Sequence, residues 1–290
     1  MMISKNLHVP GARLRYLLRG TGPLLLLVAG GDGDAAASDD LAAQLADRYT
    51  VLTYDRRGLS ASTLDDPGDP PTVTTHADDL HHLLAALTTE PAYVYGSSIG
   101  ALICLELVSR HPEQVGVLVA HEPPATQLLP EPERSRARQE QQEVEDIHRA
   151  QGALAALRRF AALAAIDPAD REPDVAATPP GPERLSNLEF FLTHDAPAVR
   201  RHLLDLSALK AASTRILPAV GEASAHIWAH RCGRLLAEEL GVSYVEFPGG
   251  HNAGVFRPRA FAARLHEVLD SAGAAPGPLG TDRAGDEPAR

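Results

Sequence analysis

The pentapeptide Gly96-Ser97-Ser98-Ile99-Gly100 constrains this chain more than any other segment. It lies between Pro91-Ala92-Tyr93-Val94-Tyr95, rich in residues that favour strands, and Ala101-Leu102-Ile103-Cys104-Leu105, which reads as a helix. Gly-x-Ser-x-Gly at such a junction describes a sharp strand-to-helix turn that lifts one serine hydroxyl above the edge of a sheet. Glycines two residues either side of Ser98 remove Cβ atoms where the chain must fold tightly. The residue after the serine offers its N–H at a helix start, where donors are unpaired and anions are favoured. Ser98 is therefore the candidate nucleophile, and Ile99 N–H a candidate donor to an oxyanion.

The segments around the pentapeptide alternate strand-like and helix-like, the pattern of an α/β chain with a mostly parallel sheet. Ala12 to Arg19 alternates apolar and polar residues, as a half-solvated antiparallel strand does. Leu24 to Ala29 is continuously apolar, as a strand covered on both faces should be, and breaks into the turn Gly30-Gly31-Asp32-Gly33-Asp34. Ser38 is the expected cap of the next helix, with Asp39 and Asp40 in its first turn. Strands are expected at 50–54, 115–120, 215–220 and 242–247, and helices at about 74–87, up to Leu240, and about 259–269.

Residues 130–165 are rich in Glu, Arg, Gln and Ala and read as one or two amphipathic helices. Five prolines between Asp167 and Pro182 mark a loop, and helical patterning resumes over 183–209. The expected organisation is a core of 1–124 and 211–271, with 125–210 as a helical lid inserted between strands. Residues 272–290 can bury almost nothing and are expected to be a disordered tail.

A serine hydroxyl needs a general base. Among 13 histidines, His251 stands out in Pro248-Gly249-Gly250-His251-Asn252, after the last expected strand. That loop lies at the carboxyl edge of the sheet, where open α/β sheets hold ligands. The base in turn needs a carboxylate. Two qualify: Glu122, directly after the strand that follows the pentapeptide's helix, and Glu222, in the loop after the next strand. Triad geometry can be met from different loops, so Glu122 is favoured and Glu222 is the alternative, with Ser224 two residues beyond it. The second oxyanion donor is expected in the turn after 24–29, at Gly31, with Asp32 as the alternative.

Net charge of −11 and the lack of a basic patch argue against a nucleic-acid partner. Two cysteines are too few for a disulfide framework, and Cys104 in its apolar helix is expected to be a buried thiol. Met1 to Pro10 lacks the pattern of a secretory signal, and no apolar run is long enough to cross a membrane. The expectation is a cytoplasmic chain without a membrane partner. No cofactor is expected, since the glycines at 30–33 lack dinucleotide-binding spacing and the flanking aspartates would repel phosphate. No metal is expected either, because His226 and His230, spaced i, i+4, have no third ligand. His76, His81 and His82 read as surface residues.

Asp55-Arg56-Arg57-Gly58-Leu59-Ser60, Gly96-x-Ser98-x-Gly100 and Gly250-His251-Asn252 together resemble the α/β-hydrolase superfamily, across about residues 10–270. The resemblance implies the α/β-hydrolase fold. More narrowly, Gly96 to Ala101, His111-Pro112-Glu113, His121-Glu122-Pro123-Pro124, Val220-Gly221 and Pro248 to His251 are similar to the zearalenone-lactonase-like branch. That likeness implies a Ser-His-Glu triad, carried over onto Ser98, His251 and Glu122. It further implies a serine hydrolase acting on a small-molecule carboxylic ester or lactone through an acyl-enzyme. Haloalkane dehalogenases place an acid in the same loop, but their nucleophile is aspartate, which Ser98 excludes. Carbon–carbon bond hydrolysis, a cyclase or lyase activity, and a non-catalytic small-ligand receptor remain as alternatives.

Overall fold

The computed structural model describes residues 2–176 and 181–273. The continuous apolar run at 24–28 becomes strand β3, and it is buried from end to end for a simple reason. Leu24, Leu26 and Val28 pack into one apolar cluster, while Leu25 and Leu27 pack into another on the opposite face of the sheet. Period-two alternation thus sends every second residue into a different core.

The strands are β1 (Met2–Val9), β2 (Ala12–Arg19), β3 (Leu24–Val28), β4 (Thr50–Tyr54), β5 (Thr63–Leu64), β6 (Ala92–Ser97), β7 (Val115–His121), β8 (Arg215–Gly221) and β9 (Val245–Phe247). They form one sheet in the order β1-β2-β4-β3-β6-β7-β8-β9, with β5 paired to β2. The β1–β2, β2–β4 and β2–β5 pairings are antiparallel and all the others are parallel. The chain order 4-3-6 reverses direction beside β3 and β6, so the loops after these two strands border one crevice.

The helices are α1 (Asp39–Leu45), α2 (Val73–Leu87), α3 (Ile99–Arg110), α4 (Glu133–Gln151), α5 (Ala153–Leu163), α6 (Pro182–Phe190), α7 (Ala196–Arg201), α8 (Leu206–Ala211), α9 (Trp228–Leu240), α10 (Ala253–Phe256) and α11 (Pro258–Ser271). Leu41 and Leu45 of α1 and Phe261 and Leu265 of α11 cover one face of the sheet. Leu80 and Leu83 of α2 and Leu102, Ile103 and Leu105 of α3 cover the other. This is an α/β fold with a mostly parallel sheet flanked by helices.

Helices α4 to α8 fall between β7 and β8. Phe191–Asp195 forms one π-helical turn joining α6 to α7, closed by Ala196 N–H on Phe191 C=O. Pro197 explains it: lacking an N–H, it cannot bond the carbonyl of Thr193. The extra residue in the turn lets Phe191, Leu192 and Asp195 all be buried.

Several local expectations need correction. The N-terminal segment, read only for targeting signals, forms β1, paired along its whole length with β2. Ser38 precedes α1 but makes no side-chain cap; Asp34 instead accepts Ala37 N–H and caps a short 3₁₀ turn at Ala35–Ser38. The last strand covers only 245–247, because α9 ends on a left-handed Gly241 whose successor Val242 still bonds back to Ala237 C=O. His76 is buried rather than a surface residue. The expected tail at 272–290 lies outside the described residues beyond Gly273. Among the described residues no helix is long and apolar enough to cross a membrane.

Candidate active site

Ser98 joins β6 to α3 with φ 54° and ψ −122°, a strained backbone for a residue with a Cβ. The flanking glycines are steric necessities. A Cβ on Gly96 would stand 2.7 Å from Gly100 C=O, and one on Gly100 would stand 2.2 Å from Val28 C=O. The turn is tied to the neighbouring strand by Ser98 N–H donating to His121 C=O at 2.8 Å. Ile99 is the first residue of α3, so its N–H has no carbonyl within the helix.

One residue beyond β7, Glu122 also has a positive φ, 49°. Its N–H donates to Ala219 C=O of β8 at 2.9 Å, which fixes this turn against the neighbouring strand. The fully buried carboxylate accepts His251 Nδ1 on Oε2 at 2.6 Å. Oε1 accepts Gly221 N–H at 2.9 Å and the Ser224 hydroxyl. His230 Nδ1 stands 3.5 Å from Oε1. Gly233 makes that approach possible: a Cβ there would lie 2.9 Å from Val220, so α9 can rest against β8 and carry His230 inward. Burial alone would raise the Glu122 pKa. The contacts from His230 and His251 outweigh it and hold the carboxyl well below the usual carboxylate range. An ionised Glu122 makes Nδ1 the protonated nitrogen of His251, which leaves Nε2 free to accept a proton.

Ser98 and His251 line the same two spaces, although no hydrogen bond links them among the described residues. Gly30 and Gly31 border the larger space. A Cβ on Gly30 would lie 3.5 Å from the Ser98 Cβ, and one on Gly31 would lie 3.4 Å from the Phe191 ring. The turn after β3 therefore sits between the serine and the π-helical turn. Arg56 clamps it from below by donating to Ala29 C=O at 3.1 Å and Gly30 C=O at 2.7 Å. Arg56 in turn pairs with Asp195 at 2.9 Å, and His76 Nε2 meets the other Asp195 oxygen at 3.1 Å. All three side chains are buried.

The sequence-derived residues thus divide. Ser98, Ile99, Gly31 and His251 border the crevice, and Glu122 lies buried behind His251. Glu222 is exposed and borders neither space. Asp32 borders the cleft beside Gly31; its carboxylate is held by Arg184, at 2.9 and 2.8 Å, which leaves its backbone N–H as the alternative oxyanion donor. Three contacts went unread: the Ser224 hydroxyl donating to Glu122, His230 buried beside that carboxylate, and Arg56 as the clamp of the Gly30–Gly31 turn. Helical period offered a signal for His230 alone, since Ala229, Cys232, Gly233 and Leu236 mark the same buried stripe.

The model of the alpha/beta hydrolase fold family matches residues 23–171. Over 269 residues, 91% of this chain and 95% of the relative, the chain is 41% identical to YraK of Bacillus subtilis (strain 168), described as an uncharacterized hydrolase. A 2-(acetamidomethylene)succinate hydrolase of Mesorhizobium japonicum is 30% identical over 118 residues, 41% of this chain and 42% of that protein. Among solved structures, an esterase from Thermogutta terrifontis superposes with a TM-score of 0.72 at 21% identity, covering 94% of this chain and all of that one. The enol-lactonase from Burkholderia xenovorans LB400 superposes at 0.70 and 24% identity, covering 92% and 100%. These two likenesses speak for the fold alone.

Proposed function

The chain belongs to the alpha/beta hydrolase fold family, and from that premise we propose that it is a cofactor-independent serine hydrolase of a carboxylic ester or lactone. The observation that carries this reading is the 2.6 Å contact of His251 Nδ1 with the buried Glu122, in a crevice that also holds Ser98 on its strained turn. His251 Nε2 takes the Ser98 proton as the hydroxyl attacks the carbonyl carbon. Ile99 and Gly31 N–H groups receive the oxyanion, and Glu122 stabilises the imidazolium. The imidazolium then protonates the departing alkoxide, which leaves an acyl-enzyme. Water, deprotonated by His251, attacks that ester; collapse returns the proton to Ser98 and releases the acid. A Ser-His-Glu arrangement of this kind is the one that the zearalenone-lactonase-like resemblance implies. The helical insertion at 125–210 acts as the lid, since Phe191 and Leu192 border the spaces at Ser98.

Fluorophosphonate labelling and turnover of short nitrophenyl esters test the reading. Labelling is expected at Ser98 and is expected to vanish in Ser98→Ala. Glu122→Gln is expected to lower kcat by roughly 10⁴-fold, as loss of a triad acid does, and Glu222→Gln to leave it near wild type. Folded protein that takes no label would refute the nucleophile. The reverse order of the two glutamine variants would move the acid to Glu222. Retained ligand binding in Ser98→Ala, with no turnover by wild type, would favour a receptor.

A further inference from the structure

The two spaces that meet at Ser98 and His251 differ in size and in charge. One is a chamber of about 70 Å³ bordered mostly by apolar side chains, among them Val144, Leu163, Leu192, Val199 and Trp228, with Gln141 and the Arg200-paired Glu145 also on its wall. An apolar cavity of about 150 Å³ holds a benzene ring, so this one has room for a short alkyl group. The other is a cleft of about 550 Å³, bordered by Arg158, Arg171 and Arg184, with Asp32 as the carboxylate among its described lining residues.

Only part of that positive charge is neutralised. Arg184 is matched by Asp32. Arg171 donates to the carbonyls of Pro168 and Ala176 and lies 4.8 Å from the Phe256 ring centroid, and none of these carries a charge. Arg158, exposed on α5, meets no carboxylate among the described residues. Among the described residues two cations therefore remain uncompensated in the approach to Ser98, on a chain whose net charge is −11. A neutral ester gains nothing from them, whereas an anion is drawn in and held by guanidinium groups suited to a carboxylate.

Resting on the hydrolase reading of Ser98, we infer that the substrate is an ester or lactone carrying a carboxylate. That carboxylate lies in the arginine-lined cleft, and a short alkyl group occupies the apolar chamber. Matched esters test this. Butyl hydrogen succinate against butyl methyl succinate, followed by butanol release, places the charge on the acyl side. 4-Butyryloxybenzoate against 4-butyryloxybenzamide, followed by phenol release, places it on the alcohol side.

In at least one pair the anionic member is expected to show about tenfold or greater kcat/KM at low salt. That preference is expected to shrink toward one at about 1 M salt, where the screening length is about 3 Å. It is expected to shrink likewise in Arg158→Glu, a substitution at an exposed side chain whose melting curve is expected to match wild type. Ratios near or below one in both pairs would overturn the substrate class while leaving Ser98 as the nucleophile. A preference unchanged in Arg158→Glu and Arg171→Gln would overturn the assignment to these arginines. Turnover of none of the four esters overturns the inference too, and fluorophosphonate labelling of Ser98 then tells whether the hydrolase reading falls with it.

Discussion

His121 is fully buried beside Glu122, and neither of its ring nitrogens has a hydrogen-bond partner among the described residues. Its ring meets Phe247 and Phe261 edge to face, at 6.0 and 5.7 Å between centroids. Burial lowers its pKa from 6.5 to about 4, against the opposing pull of Glu122 and with help from His251 and His230. The native state thus keeps His121 neutral over a range in which the unfolded chain protonates it. Stability is fully present above pH 6.5 and falls as the pH drops toward 4, by an amount on the order of 3 kcal/mol. Replacing an unpartnered buried polar ring by an apolar side chain is close to neutral or stabilising at neutral pH. His121→Leu is therefore expected to match or exceed wild type in urea unfolding at pH 7 and to gain on it steadily down to pH 4.5. A difference between the two proteins that stays constant across that range would show that His121 does not carry the titration.

Among the elements, β3 and the β6–α3 turn were legible in the sequence because local chemistry dictates them. A run covered on both faces must be apolar throughout, and the turn's glycines answer contacts within a few residues or with β3 next door. His251 and Glu122 were legible because each lies in the loop after a strand whose end the α/β pattern places at one sheet edge. What stayed hidden depends on partners far apart in the chain. His76 lies on the buried stripe Val73, His76, Ala77, Leu80 of α2, yet its partner Asp195 is 119 residues away. The π-helical turn around Asp195 follows from Pro197, but its inward aim depends on Arg56. Asp195→Asn leaves Arg56 buried without its countercharge, which costs about 3–5 kcal/mol in comparable buried pairs. The same variant loosens the clamp on the Gly30–Gly31 turn. Lower thermal stability, faster amide exchange over 187–201 and a reduced kcat are the expected outcomes. Unchanged exchange in that segment would mean that the ion pair does not anchor the insertion.

For the molecule as a whole, the decisive fact is that the insertion and the sheet share one core. Val144 of α4, Ala156 of α5, Phe191 and Leu192 of the π turn, Val199 of α7 and Leu209 of α8 belong to the same buried cluster as β3, α2 and α3. Polar pins cross the same boundary: Asn187 donates to Asp34 at 2.8 Å and accepts Ser60 N–H at 3.0 Å, and Arg56 meets Asp195. A separately folding insertion would have its own closed apolar cluster and a boundary that few contacts cross. Here, unfolding residues 133–211 alone would strip one face of α3 and leave Arg56 unpaired, so the partly unfolded state is costly and sparsely populated. Calorimetric unfolding is therefore expected as one transition, with van't Hoff and calorimetric enthalpies close to equal. Fluorescence of Trp228, which borders the chamber under the insertion, is expected to change over the same temperatures as far-ultraviolet circular dichroism. A Trp228 transition that precedes the loss of secondary structure would show instead that the insertion opens as an independent unit.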